Sequence, residues 1–349
     1  MNRKFFVILL LFFCFSPVIL ADNKDSVQKV DVKSIIFDHI SDTYEWHITT
    51  IENKHITIPL PIIVCGEKNG FKIFMSSKLH HHDSYCGYRL GRKDGKYAGK
   101  IVELNDYGEE VRPWDFSLTK NAVAIIINCI LLAVIILWVA RWYKKKPMEA
   151  PKGFRGALEM LIMNIQDDLI KPCIGKDYRK YSPYLLTAFF FIFFNNLMGL
   201  IPIFPGGANT TGNIAVTLVL ALCTFFAVNI FGTKEYWKEI LWPDVPIWMK
   251  AIPLMPIIEL FGIFTKPFAL MIRLFANIMA GHSIVLGLTC LVFITASMGA
   301  AVCAGMTFVS VFFTIFMDCL ELLVAYIQAY VFTMLSSVFI GLSKVEHHS

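Results

Sequence analysis

The chain has 349 residues, 56% of them hydrophobic and 14% aromatic, with a mean hydropathy of +0.58. That composition excludes an ordinary soluble globular protein and indicates several membrane-spanning helices. The formal net charge of +5 is mild and concentrated in loops, so it bears on membrane orientation and gives no reason to expect nucleic-acid binding.

Residues 1–21 begin with Asn2-Arg3-Lys4, continue as an apolar run from Phe5 to Phe15, and end on SPVILA. This is the pattern of a secretory signal peptide, and the run is short for an anchoring span, which favours cleavage after Ala21. Residues 22–115 differ in composition. They are polar and charged, with short β-branched and aromatic runs (EWHITTIENKHITIPLPIIV, FKIFMSS) separated by turn residues. A small β-rich extracytoplasmic domain is expected, with Cys65 and Cys86 available for a disulfide. His80, His81 and His82 are consecutive, so they cannot converge on one metal from a strand, and a solvated loop is expected there.

The membrane domain is expected over residues 116–349. Asn121 to Ala140 carries no charge and is the length of one span; Arg141, Lys144, Lys145 and Lys146 follow and mark its cytoplasmic end. Residues 155–172 alternate apolar and charged at helical spacing, as an interfacial helix would. Tyr181 to Thr233 has no Asp, Glu, Lys, Arg or His and is long enough for two spans, with Pro202, Pro205, Gly206 and Gly207 at the turn. Its Asn195, Asn196, Asn213 and Thr217 read as helix–helix contacts before they read as a pathway. Lys234 to Lys250 reads as a cytoplasmic loop. Two final apolar segments, 260–292 and 300–343, are too long for the bilayer: as helices they reach roughly 50 and 65 Å against a ~30 Å hydrocarbon core. The expected fold is therefore an all-α polytopic membrane protein of about five spans. It ends in a long, strongly tilted helix hairpin and carries the β-rich domain at its N-terminus.

Between residues 251 and 343 only six side chains are charged or histidine: Glu259, Lys266, Arg273, His282, Asp318 and Glu321. Arginine keeps its proton in proteins, so Arg273 places a permanent charge at membrane depth, where it persists only beside water or a partner charge. Glu259, Lys266 and Arg273 recur every seven residues and Asn277 follows Arg273 by four, so these four share one helical stripe. His282 lies nine beyond Arg273, about half a turn away, and joins the path only through a bend at Gly281 or a water cavity. On the returning helix Asp318, Glu321 and Gln328 form another stripe, with Gln328 able to come level with Arg273. The pattern is titratable groups leading inward from each membrane face, separated by one fixed cation.

The segment RLFANIMAGH, with Glu259 and Lys266 at seven-residue steps before it and ELLVAYIQAYVFTML near the C-terminus, resembles the a subunit of F-type ATP synthases over residues 120–343. The resemblance implies a non-catalytic, proton-translocating stator subunit with two offset half-channels. Arg273 would face the ring of c subunits, with Asn277, Gln328 and Glu259 at the family's polar positions. It further implies the c-ring, a b-type peripheral stalk, the rest of the synthase complex and the lipid bilayer as partners. It implies no cofactor and no metal, in a bacterial inner membrane with the C-terminus inside. One departure stands out. The enterobacterial pattern has Glu nine after the arginine and His seven before the glutamine, whereas here those positions hold His282 and Glu321, as in mitochondrial members. An exchange of this kind preserves a His–carboxylate pair if the two groups meet across the hairpin. The alternative from another class is a secondary cation/proton antiporter, which would want inverted repeats. A voltage sensor would want arginines in series, and there is one.

Overall fold

Period-two alternation places residues 45–75 in strands, and short strands are what form. The computed structural model describes residues 42–51, 54–81, 84–92, 95–105, 108–201, 206–241, 254–295 and 300–344. The signal-peptide reading, the side chains of His80 to His82, Pro202 and Pro205 lie outside the described residues. In the N-terminal domain, β1 (Glu45–Ile51) and β2 (Lys54–Pro59) make an antiparallel hairpin. A second sheet orders β3 (Pro61–Gly66) between β4 (Gly70–Met75) and β8 (Trp114–Asp115). A third joins β5 (Tyr88–Leu90), β6 (Ile101–Leu104) and β7 (Glu110–Val111), and a short helix α1 (Ser77–His81) lies between β4 and β5. The turn from β3 to β4 closes at Gly70 with φ 66°, the left-handed region that glycine occupies without a Cβ penalty.

Ile62 and Val64 of β3 point inward with Phe74, Leu79, Tyr88, Ile101 and Tyr44, which form the domain's core. Two polar groups brace it. The buried Glu103 carboxylate accepts the backbone N–H of Glu67 at 3.0 Å, and the Tyr88 hydroxyl donates to the Gly70 carbonyl at 2.7 Å. Cys65 and Cys86 are free thiols, so the expected disulfide is not formed. Cys65 lies mid-strand between Phe71 of β4 and Trp114 of β8, whereas Cys86 sits exposed in the Tyr85–Tyr88 turn with φ 52°.

The rest is helical. Thr119 caps α2 (Lys120–Lys145) by accepting the Ala122 N–H at 3.4 Å, and Lys144 and Lys145 sit in the last turn, where the helix dipole favours cations. The amphipathic stretch expected at 155–172 becomes α3 (Phe154–Met163), a π-helical segment (Asn164–Ile170) and α4 (Lys171–Ile174). After one 3₁₀ turn the chain continues as α5 (Tyr178–Leu200). Then follow α6 (Ile214–Ile230), capped by Asn213, α7 (Lys234–Leu241), α8 (Leu254–Thr295) and α9 (Ala300–Leu342). Among the described residues, four helical stretches, 120–145, 154–200, 257–295 and 302–342, are long and apolar enough to cross a membrane, and α6 is a shorter apolar helix.

The long helices pack through small residues. Ala325, Ala329, Thr333 and Ser336 of α9 are buried at spacings of three or four, so their row lets α5 approach closely. The main core joins this row to Leu185, Phe189 and Ile192 of α5, Leu270 and Leu274 of α8, and Ile165 and Ile170 of the π-helical segment. Near the end of α9, a Cβ on Gly341 would run into the Cys173 carbonyl of α4, so glycine permits that contact. The N-terminal domain is seated on the helices rather than tethered loosely. Trp46 and Ile58 pack on Val123, Ala124 and Ile127 of α2 and on Ala208 of the loop between α5 and α6. The Lys120 N–H also donates to the Thr43 carbonyl at 2.9 Å, and the Asn121 N–H to the Asp42 carboxylate at 3.1 Å.

Candidate functional site

Helix α8 separates its residues by face as the seven-residue spacing predicts. Ile263, Leu270, Leu274 and Ile278 are buried, whereas Glu259, Lys266, Arg273 and Asn277 are exposed. Among the described residues no carboxylate lies within ion-pair distance of Arg273. Its charge therefore points away from the packed helices.

Three contacts set the antiparallel register of α8 and α9. The Lys266 ammonium lies 5.7 Å from the centre of the Phe339 ring, His282 Nδ1 lies 2.9 Å from Glu321 Oε1, and the Ser310 hydroxyl donates to the Leu288 carbonyl at 2.5 Å. This register brings Gln328 level with the Arg273–Asn277 turn, as expected, although Gln328 is buried and Arg273 is not. Asp318, half-buried, lies one turn beyond Glu321 toward the hairpin end.

His282 meets Glu321 without a bend at Gly281. Helix α8 runs unbroken through that residue, and α9 passes on the side to which His282 points. A Cβ on Gly281 would lie 3.1 Å from Glu321 Oε1, so glycine leaves the carboxylate room to lie across the helix without shifting. The pair is therefore on a different face from the Arg273 stripe and about 13 Å further along α8, at 1.5 Å per residue.

A small cavity, with room for about one water, opens onto His282 and Glu321. Asn195, Asn196, Gly199 and Asn209 also line it. Asn196 accepts from the Thr211 hydroxyl at 2.6 Å, and Asn195 Oδ1 accepts both the Thr210 hydroxyl at 3.1 Å and the Asn128 amide at 3.0 Å. Asn195 and Asn196 are thus helix contacts, as expected, and cavity lining as well. Asn213 only caps α6, and Thr217 bonds back to the Ile214 carbonyl. Asn128 carries no sequence signal, because a single polar residue in an apolar run has no periodicity to mark it, and Thr210 and Thr211 sit in a short polar loop that has none either.

A second small cavity lies on the other side of the Arg273 level and is lined by Thr224, Asn229, Tyr236 and Lys266. Burial, and after it the nearby Glu259 carboxylate, raise the Tyr236 phenol above its ordinary value. Small cavities with polar side chains in their walls thus stand on both sides of the Arg273 level along the hairpin. Among the described residues no cluster of His, Cys, Asp or Glu is arranged to hold a metal.

This arrangement coincides with a family match. Residues 122–341 match the family model described as ATP synthase A chain. The chain belongs to that family. The ATP synthase subunit a 2 of Chlorobaculum tepidum is 46% identical over 250 residues, 69% of this chain and 67% of that protein. The ATP synthase subunit a of Chlorobium phaeobacteroides strain BS1 is 44% identical over 316 residues, 82% of this chain and 89% of that protein. That of Myxococcus xanthus is 38% identical over 289 residues. Residues 35–116 match a separate model described as a domain of unknown function, DUF8433. Membership in the ATP synthase A chain family makes this chain a proton-translocating component of an F-type ATP synthase, and the antiporter reading is not favoured.

Proposed function

We propose that α8 and α9 carry two offset half-channels that load and unload carboxylates of a c-ring, with Arg273 as the fixed charge between them. The observation that carries this reading is the exposure of Arg273, with Asn277 beside it, on a helix whose Leu270 and Leu274 are buried. A guanidinium there attracts each ionised rotor carboxylate and prevents protons from passing directly between the channels. The outer path runs through Asp318, Glu321 and His282, the inner one past Glu259, and Gln328 braces the turn behind Arg273. The subunit itself does no chemistry on nucleotides. It works through the c-ring and a b-type peripheral stalk.

The orientation proposed is a bacterial inner membrane with the N-terminal domain outside and the C-terminus inside, the first 21 residues serving as a signal peptide. Lys144, Lys145 and Lys146 after α2 support the cytoplasmic assignment of that end. Counting α6 gives five crossings. Helices α8 and α9, of 42 and 43 residues, would each be roughly 64 Å long, so they lie strongly tilted across a ~30 Å core. The test is purification from native membranes through a tag on this chain. A c-ring and a catalytic head should come with it; recovery of the chain alone, active in cation/proton exchange, would contradict the proposal.

A further inference from the structure

The domain of residues 42–119 is seated where it bears on the cavity at His282 and Glu321. Trp46 is 3% exposed and packs against Ala124 of α2 and Ala208, and Ala208 also lines that cavity. Ala208 begins the short loop whose Thr210 and Thr211 hold Asn195 and Asn196. One tryptophan ring therefore backs the loop that forms the cavity's upper wall.

Directly beneath lies Asn128, 2% exposed, eight residues into α2. Its orientation is set by its neighbours. Asn195 donates to the Phe191 carbonyl at 2.8 Å, so Asn195 Oδ1 faces Asn128 and Asn128 must present its NH₂ group there. That leaves Asn128 Oδ1 buried with no donor among the described residues. A buried acceptor of this kind calls for water, which needs two to four polar partners. Asn128, Asn195 and Thr210 provide such partners in a line that leads to the cavity.

We infer that the N-terminal domain roofs the outer proton-access path, with Asn128 as a water-holding station beneath it and Trp46 as the brace that keeps the opening narrow. Water and hydronium then reach His282 and Glu321 along the Asn128–Asn195–Thr210 seam, and larger solutes are kept out by the braced loop. This rests on the assignment of His282 and Glu321 to the outer half-channel.

Two measurements test it on the whole complex in its membrane. In vesicles stripped of the catalytic head, passive proton conductance driven by a potassium diffusion potential should fall about fivefold or more in Asn128→Leu, which displaces the water with an isosteric apolar group. Asn128→Ser, small and still polar, should keep more than half of the wild-type conductance. Equal conductance in Asn128→Leu and wild type would overturn the path and leave the half-channel assignment standing. If the wild-type complex conducts but His282→Ala and Glu321→Ala also conduct normally, the half-channel assignment itself fails.

The roof is read with Leu200→Cys, a position on the cavity wall, by peptide mass spectrometry after treatment from outside. A small cationic methanethiosulfonate should modify it in the otherwise native chain, and a polymer-linked maleimide should not. Adding Trp46→Ala should admit the polymer-linked reagent, and Trp46→Phe should keep it out. Labelling by the polymer with Trp46 in place, or no labelling by the small reagent, would overturn the roof.

Discussion

His282 of α8 and Glu321 of α9 are joined across the helix hairpin, Nδ1 to Oε1, at 2.9 Å. Gly281 eases the contact, because a Cβ there would lie 3.1 Å from Glu321 Oε1 and press on the carboxylate. An imidazole next to a buried carboxylate is a pair between which a proton moves readily. Replacing either by Ala should therefore slow proton flux strongly. The double exchange His282→Glu with Glu321→His should restore part of it, because the pair's chemistry is kept. Flux in the exchanged protein no better than the worse single variant would show that the two do not act together.

Gly281 offers a second, purely steric test. Gly281→Val places atoms inside the space of the Glu321 carboxylate, and overpacking of this sort costs about 1–3 kcal/mol. Flux should drop with Gly281→Val much more than with Gly287→Val, since nothing lies within 4 Å of a Cβ at Gly287. Equal effects at the two positions would argue against a close Glu321 approach.

Tyr44 tests the N-terminal domain. Its hydroxyl donates to the Asp115 carboxylate, and burial followed by that bond pushes the phenol well above its ordinary range. A raised folded-state value favours the neutral phenol, so this contribution is complete below the ordinary tyrosine value of 10.0 and declines as pH rises above it. Tyr44→Phe should cost about 1–2 kcal/mol by leaving the Asp115 oxygen without that donor. Limited proteolysis of intact membranes should show faster cleavage in residues 42–119 and unchanged cleavage of α9.

Much of this molecule is legible in the sequence, and the exceptions share a cause. The stripe Glu259, Lys266, Arg273 and Asn277 follows from spacing alone, because an α-helix sends such positions to one side. The long hairpin follows from two apolar runs, and the hairpin of β1 and β2 from alternation. His282 with Glu321 is different: spacing puts His282 off the Arg273 stripe, and only the resemblance and the packing of α9 supply its partner. Cysteine count suggests a bond between Cys65 and Cys86, yet count carries no geometry, and the strand and turn that hold them leave both thiols free. Asn128 is invisible to pattern because its significance lies in Asn195, 67 residues away. The seat of Trp46 on Ala124 and Ala208 is likewise a tertiary fact between segments of unrelated pattern.

Arg273 bears the central claim. A proton crossing 100 mV releases about 2.3 kcal/mol, which drives rotation only if no proton bypasses the rotor. A lysine keeps the charge but loses its proton more readily when buried, and it lacks the planar fork that fits a carboxylate. The decisive measurement is ATP-driven acidification of vesicles carrying fully assembled complex, taken together with passive conductance after the catalytic head is removed. Arg273→Lys and Arg273→Ala should both abolish pumping, and Arg273→Ala should keep or raise the passive conductance. If either variant, assembled in normal amounts, pumped near the wild-type rate, Arg273 would not be the barrier between the two half-channels.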